Sequence, residues 1–259
     1  MLAIISLFPI YWMIKGGFEN TIGAMKIPPR FLPKIDLQNY LTIFTEHDIF
    51  RWILNSLIIG AAITIIIVLC SCMSGYVFAK KEFPGKNFFF WLMLSTLMIP
   101  FQVTLIPRYL MMRSLQLVNT YPGIFLPLAC GVAPMFLARQ YMSTIPSELI
   151  DSAKIDGASE LRIFISIIMP LSKPLVAALT IFSFVFAWNQ FLWPLIMTTT
   201  NAMKTLPIAI AVISAMEGEL IDVGLAMAGA TLVALPMYVI FFSFQKYFVK
   251  GITLGGVKG

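Results

Sequence analysis

The chain has 259 residues, of which 59% are hydrophobic and 12% charged, with a mean hydropathy of +0.88 and a net charge of +6. Ordinary soluble domains carry about 25% charged residues, so this composition excludes a large water-soluble domain. The basic residues are spread through polar intervals with no dense run, which points to anionic lipid headgroups and away from nucleic acid.

The first apolar run, Met1 to Ile14, is shorter than the ~20 residues that cross a bilayer. It has no basic n-region before it and no small-residue cleavage site after it, so a signal peptide is disfavoured. A first membrane helix is expected, short or clipped at its start, with Tyr11 and Trp12 near the far headgroups. Lys15 to Arg51 is the longest polar interval, where Pro28, Pro29 and Pro33 forbid a long helix. A second span is expected over 52–79, its core from Leu57 to Leu69 rich in Ile. Lys80-Lys-Glu-Phe-Pro-Gly-Lys86 reads as a tight basic turn. A third span over 88–107 carries Pro100 within it, and Arg108 to Thr120 is short and amphipathic. The fourth, 121–138, ends at Arg139 and Gln140.

A polar stretch from Ile145 to Leu171 follows. Glu148, Asp151, Asp156 and Glu160, four of the twelve acidic residues, fall within thirteen positions of it. Ser147 is placed to cap a first helix through its hydroxyl, with Glu148 and Asp151 in the first turn against the positive end of the helix dipole. Gly157 supplies a left-handed residue to stop that helix. Ser159 is placed to cap a second helix, which Pro170 is expected to end. Two settings suit such a hairpin between membrane-length runs. One is a soluble partner; the other is the membrane surface, with Leu149, Ile155, Leu161 and Phe164 in the headgroups. The acidic character disfavours the second, because the cytoplasmic leaflet is itself negative.

A fifth span is expected over 175–197, a mixed loop from Thr198 to Val223, a sixth span over 224–244, and a short basic tail. Six spans put both termini, the Lys80 turn and the hairpin on one side. That side holds ten of the eighteen Lys and Arg (Lys80, Lys81, Lys86, Arg139, Lys154, Arg162, Lys173, Lys246, Lys250, Lys258) in fewer residues than the other, which makes it the cytoplasmic one. No ionisable residue falls within an apolar core, which argues against a self-powered, ion-coupled transporter. Gly85-Lys86 lacks the rest of a P-loop, having Lys80 and Asn87 where Gly and Ser or Thr are needed. Cys70, Cys72, Cys130 and the lone His47 form no metal or catalytic cluster, and the thiols are expected to be buried and inert. In Phe186-Ala-Trp-Asn-Gln-Phe-Leu-Trp-Pro194, the amides of Asn189 and Gln190 lie beside Trp188 and Trp193. That mixture suits the polar and C–H faces of a sugar. It equally suits interfacial aromatics, with Asn189 bonded to a neighbouring helix and a kink at Pro194. Ala226, Ala230 and Ala234 form a stripe open to two readings, close helix packing or ordinary membrane-helix alanine content.

Asp151-Ser152-Ala153, Gly157, Ile167 and Met169-Pro170 fall on the spacing Glu-Ala-Ala, three residues, Gly, nine residues, Ile, one residue, Leu-Pro. This resembles the cytoplasmic loop of binding-protein-dependent ABC importers. Asp, Ser and Met replace Glu, Ala and Leu, keeping charge sign or approximate size. Ile155-Asp-Gly-Ala-Ser159 and Met169-Pro-Leu-Ser-Lys-Pro174 are similar to the sugar-importing branch, within it the smaller maltose-type permease subunit, and the resemblance runs through nearly the whole chain. Asp36-Leu-Gln-Asn-Tyr-Leu41 resembles that family's short external segment before the second helix. The segment from Trp188 to Pro194 resembles its Trp-Asn-Glu-Phe-x-Trp-Pro, with Gln190 in place of the acid.

The resemblance implies an all-α integral membrane protein of the type I ABC importer permease kind. It would have six transmembrane helices and a cytoplasmic coupling hairpin over 145–170. Residues 1–51 would hold the first helix and an external loop, 52–250 the transmembrane domain, and 251–259 a cytoplasmic tail. It implies a non-catalytic subunit of an ATP-driven sugar importer in the bacterial inner membrane, both termini cytoplasmic. Its partners would be a second permease, ABC ATPase subunits, an extracytoplasmic sugar-binding protein and membrane lipid. ATP and Mg²⁺ would be bound by the ATPases and no cofactor by this chain. Glu148, Asp151, Ser152, Ala153, Gly157 and Pro170 would couple to an ATPase; Trp188, Asn189 and Gln190 would line the sugar path. An ATPase-independent sugar facilitator and an importer for another small polar solute are the alternatives.

Overall fold

The computed structural model describes residues 2–32, 34–216 and 222–256, and among them it is helical with no strand. Helix α1, Leu2–Gly17, has 16 residues, about 24 Å at 1.5 Å per residue, still less than the ~20 residues of a full span. The polar interval holds only the short helices α2, Thr21–Ala24, and α3, Gln38–Thr45. Pro33, one of the expected helix breakers there, lies outside the described residues. Helix α4, Ile49–Lys80, is unbroken for 32 residues, about 48 Å. The Lys80–Lys86 turn closes with Gly85 at φ 78°, a left-handed residue that opens α5, Lys86–Ser95.

The third span is not straight. A 3₁₀ turn, Thr96–Met98, leads to Ile99, which is extended (φ −88°, ψ 112°) because it precedes Pro100. A second 3₁₀ turn, Phe101–Thr104, then opens α6, Leu105–Ser114, and the two halves meet at 93°. The fourth span is also broken. Helix α7, Tyr121–Phe125, passes through the 3₁₀ turn Leu126–Leu128, and α8, Val132–Ser143, leaves at 50° after the extended Gly131. Next come α9, Glu148–Ile155, α10, Glu160–Ile163, a π turn, Phe164–Ile168, and α11, Met169–Leu171. Helix α12, Lys173–Trp188, runs at 80° to Glu160–Leu171. The expected fifth span is interrupted at Asn189–Phe191 before α13, Leu192–Met197.

The interval expected as a loop, Thr198 to Val223, contains α14, Leu206–Met216, eleven residues with Pro207 in the first turn, where a missing N–H costs nothing. Residues 217–221 of that interval lie outside the described residues. Helix α15, Val223–Gly256, continues past the expected end of the sixth span and through most of the expected tail, whose residues 257–259 are likewise outside. Among the described residues two helices, Ile49–Lys80 and Val223–Ile240, are long and apolar enough to cross a bilayer, and counting each bent pair as one span gives up to five.

The chain divides into two compact units, Met1–Ile58 with Asn189–Ser243 and Ile59–Trp188 with Phe244–Gly259. In the first, polar side chains satisfy backbone groups where helices start and stop. Arg51 Nε donates to Ala202 O (3.0 Å), Trp52 Nε1 to Asn201 O (3.0 Å), and Asn55 Nδ2 to Ala202 O (2.9 Å) and Lys204 O (2.8 Å). Ser56 Oγ accepts from Leu206 N at 2.8 Å, satisfying a donor at the start of α14. Asp222 accepts from Leu225 N at 2.9 Å at the start of α15 and also from the Thr21 hydroxyl. Lys15 and Glu19 form a buried ion pair at 2.5 Å, one turn apart, and Asn39 Nδ2 reaches the carbonyls of Gly17 (3.1 Å) and Glu19 (2.9 Å).

In the second unit the buried face of α4 recurs every four residues: Ile59, Ile63 and Thr64, Ile67 and Val68, Ser71 and Cys72, Gly75 and Tyr76. Only Cys72 of the three cysteines is buried, against the expectation for all three. Cys70 lies two residues away, about 200° around the helix, and therefore faces outward. Gly75 sits against α8. A Cβ there would lie 2.5 Å from Ala138 Cβ and 2.9 Å from its carbonyl carbon, so the two helices meet backbone to backbone. Gly75→Leu should therefore force α4 from α8 and cost about 1–3 kcal/mol. Met73→Leu, on the exposed face of the same turn, should cost nothing measurable. Thermal unfolding of the detergent-purified protein checks the pair, and equal melting temperatures would refute the contact.

Candidate functional site

The hairpin belongs wholly to the second unit. Helix α9 places Glu148, Asp151, Ser152 and Ile155 on one exposed face, the i, i+3, i+4, i+7 positions of a helical stripe. Ile150 and Ala153 point the other way, into a core with Val68, Cys72 and Tyr76 of α4, Ala138 and Met142 of α8, and Leu175 and Leu179 of α12. Ala153, expected among the residues that couple to an ATPase, is instead buried within its own chain. Gly157 has φ 76° with nothing within 4 Å of its missing Cβ. Gly157 N donates to Lys154 O (3.0 Å) and Ala158 N to Ala153 O (2.9 Å), the paired bonds of a left-handed helix stop. Ser159 accepts from Arg162 N at 3.4 Å and caps α10, as expected.

Two expectations change. Ser147 makes no side-chain cap, because its backbone is already helical (φ −73°, ψ −23°), and its hydroxyl accepts from Lys80 Nζ at 3.4 Å. Pro170 does not end the second helix. Its ring is excluded by the carbonyl four residues back, and the π turn before it, where Met169 N donates to Phe164 O, widens the helix enough to continue through Leu171. The chain bends at Ser172 instead. The wider turn also brings Ile163 and Ile168, five residues apart, into the same core. Pro170 thus lies well away in sequence from the exposed face of α9.

Two adjacent lysines at the end of α4 hold the hairpin on both sides. Lys80 Nζ donates to Ser143 O (3.5 Å) and Ile145 O, at the negative end of the α8 dipole. Lys81 Nζ pairs with Glu160, whose carboxylate also accepts from Tyr76 OH at 3.1 Å and lies in the first turn of α10. Lys81 sits over the Tyr76 ring at 5.0 Å. The hydrogen bond from Lys81 holds the Glu160 carboxyl below the usual carboxylate range, against a smaller opposing effect of burial. Burial works against the charge on Lys81, but its hydrogen bonds to Glu160 and Tyr76 outweigh that and raise its pKa. Sequence reading took Lys80 and Lys81 only as loop charge; their partners lie 63 to 79 residues away, where no local pattern shows them.

The residues expected beside a sugar fall into three settings. Trp188 is buried in the second unit, stacked on Phe184 with ring centroids 5.8 Å apart. Asn189, in the first unit, is exposed at the end of a cavity of about 550 Å³, its Nδ2 3.9 Å from Met237 Sδ. Gln190 is half-buried and stands outside the cavity wall. That wall comes from α14 and α15 and includes Ala226, Ala230 and Ala234 beside Ser214 and Tyr238. The alanine stripe thus forms a smooth wall. Ser214 and Tyr238 were missed, and the apolar run Leu206 to Met216 was the available signal that this interval was more than a loop.

The model of the family described as "Binding-protein-dependent transport system inner membrane component" matches residues 67–254. Over its full length the chain is 40% identical to the arabinooligosaccharides transport system permease protein AraQ of Halalkalibacterium halodurans, covering 93% of it. It is 36% identical to the sn-glycerol-3-phosphate transport system permease protein UgpE of Yersinia pestis, over 95% of this chain and 90% of that one. A solved bacterial ABC transporter involved in import of the acidic polysaccharide alginate shares the fold at a TM-score of 0.83, with 21% identity over 95% of this chain and 92% of that one.

Because the Glu160 carboxyl is held low, its pairing is complete above the ordinary glutamate pKa of ~4.3 and is lost as pH falls through the lowered value. Proteolysis within 155–160 should therefore rise steeply in that acid window and not between pH 8 and 5. Glu160→Gln should show the raised cleavage at every pH. A profile for Glu160→Gln that matches the unmodified protein would remove the carboxylate from hairpin anchoring.

Proposed function

Because the chain belongs to the family of binding-protein-dependent transport system inner membrane components, we propose that it lines the sugar path of an ATP-driven importer and takes its drive through the hairpin. The observation that carries this reading is the two-sidedness of α9. Ile150 and Ala153 fix it to the chain's own helices, while Glu148, Asp151, Ser152 and Ile155 are left on a free face. A helix fixed from behind and largely polar in front, with Leu149 and Ile155 as its exposed apolar residues, is built to seat in a cleft of another protein. Asp151 offers that cleft a carboxylate, and Gly157 turns the chain back so that α9 protrudes. The partner on this face is an ABC ATPase subunit, which binds ATP and Mg²⁺ and hydrolyses the nucleotide. A second permease and an extracytoplasmic binding protein complete the importer. This chain makes and breaks no bond; it moves with the ATPase and opens or closes a path. The excess of Lys and Arg beside the hairpin supports a cytoplasmic position for it and for both termini.

The substrate class follows from the cavity beside Asn189. Among the described residues of its wall none is charged, and their polar groups are one amide and two hydroxyls, on Ser214 and Tyr238. A phosphoester brings two charges and needs a cation or a set of aligned amides. The arabinooligosaccharide relative names a neutral substrate and the glycerol-phosphate relative a charged one. The wall chemistry favours the neutral carbohydrate.

In the reconstituted importer, Asp151→Lys or Gly157→Pro should leave the chain in the membrane but release the ATPases or free their hydrolysis from control, cutting transport about tenfold or more. Full coupling in both variants would remove the hairpin from the mechanism. Uptake of a labelled arabino-oligosaccharide should exceed that of sn-glycerol 3-phosphate, and the reverse order would overturn the substrate class. Asn189→Ala should lower sugar uptake about five- to tenfold, the scale of one neutral hydrogen bond of about 1 kcal/mol, with the complex intact. Unchanged uptake, or a complex that falls apart, would assign Asn189 a packing role.

A further inference from the structure

The hairpin is held to α4 at two places by two neighbouring residues, and the geometry of that hold has a mechanical consequence. Lys80 takes the incoming limb, donating to the carbonyls of Ser143 and Ile145 and to Ser147 Oγ. Lys81 takes the returning limb through Glu160, with Tyr76 OH as a second donor to the same carboxylate oxygen. Lys80 is the last residue of α4 and Lys81 follows it, and five residues before Lys80 Gly75 brings that helix into backbone contact with α8. We infer that Lys80 and Lys81 are positioning residues that fasten the coupling hairpin to α4, so that hairpin and helix move as one body when the ATPases close. This rests on the reading of the hairpin as the ATPase-docking element.

Apolar packing by Ile150, Ala153, Ile163 and Ile168 holds the hairpin to the bundle but fixes its angle weakly, since such contacts are non-directional. The lysine bonds are directional and act on opposite limbs, so together they resist both sliding and rotation. An exposed ion pair adds little to stability, which leaves orientation as what Lys81 and Glu160 supply.

The test uses the full complex, with its second permease and ATPases. Spin labels are placed at Leu161 on the hairpin, away from the docking face of α9, and at Val77 on α4, both exposed, with the native cysteines replaced by alanine. The label distance is measured with and without Mg²⁺–ATP. The intact clamp should give one narrow distance, the same in both states. In the double variant Lys80→Met, Lys81→Met the distribution should broaden and shift on adding ATP while the ATPases stay bound. ATP hydrolysis should respond to the loaded binding protein about fivefold less or worse. The charge exchange Lys81→Glu with Glu160→Lys, on the Lys80 background, should restore the narrow distance. A double variant that keeps one unchanged distance, or an intact clamp whose distance shifts with ATP, overturns the proposal. So does a charge exchange that restores nothing. Asp151→Lys is run alongside: if it retains ATPases and full coupling the docking reading fails, whereas the distances judge the clamp separately.

Discussion

Inside a bilayer a backbone N–H or C=O without a partner costs several kcal/mol, and water is not there to supply one. That constraint orders this chain. Where side chains alone decide, the result is an unbroken helix such as α4, in which each amide bonds within its own segment. Irregular backbone is tolerated only where protein covers it or it lines a cavity, so the breaks carry information. Proline forces the one at Ile99-Pro100, and the one at Asn189–Phe191 puts an amide side chain at the wall of a cavity of about 550 Å³. The first break shapes the helix. The second sets Asn189 beside Ser214 and Tyr238 on that cavity's wall.

Polar side chains near the helix ends extend the same principle. Arg51, Trp52, Asn55 and Ser56 meet the backbone around 201–206, and Lys80 meets the carbonyls at the end of α8. These bonds are individually worth about 1 kcal/mol, so no single one holds the fold. Their effect is to fix where an otherwise featureless apolar helix begins and stops relative to its neighbours in the same unit. The buried stripe of α4 packs into the core of the second unit, and Gly75 on it lets α8 approach closely.

The hairpin shows how a short element with one exposed face is held in place. Its inner face belongs to the core of the second unit and its outer face to solvent. Because α9 has only eight residues, it would not be helical alone. Packing on one side, the left-handed stop at Gly157 and the lysine bonds at either limb together define a single orientation. A partner that seats on the outer face therefore meets a shaped surface.

The sequence by itself determined the class of protein, the apolar segments and the hairpin's two limbs. Hydropathy, proline, glycine and capping residues act over a few neighbours, and those neighbours are contiguous. It placed Gly157 and Ser159 correctly and located the aromatic-amide segment. Tertiary structure alone decided the rest. That Pro170 is absorbed by a π turn depends on Ile163 and Ile168 sharing a core, and that Ser147 bonds Lys80 depends on a helix end 67 residues away. Whether Ala153 faced a partner or its own bundle was settled by packing, and the alanine stripe, open in sequence to close helix packing or ordinary alanine content, was put on a cavity wall. Trp188 and Asn189 are adjacent in sequence, yet one is buried on Phe184 and the other opens on a cavity. A one-residue step at a helix end redirects a side chain by about 100°, and only the surrounding packing says what it then meets.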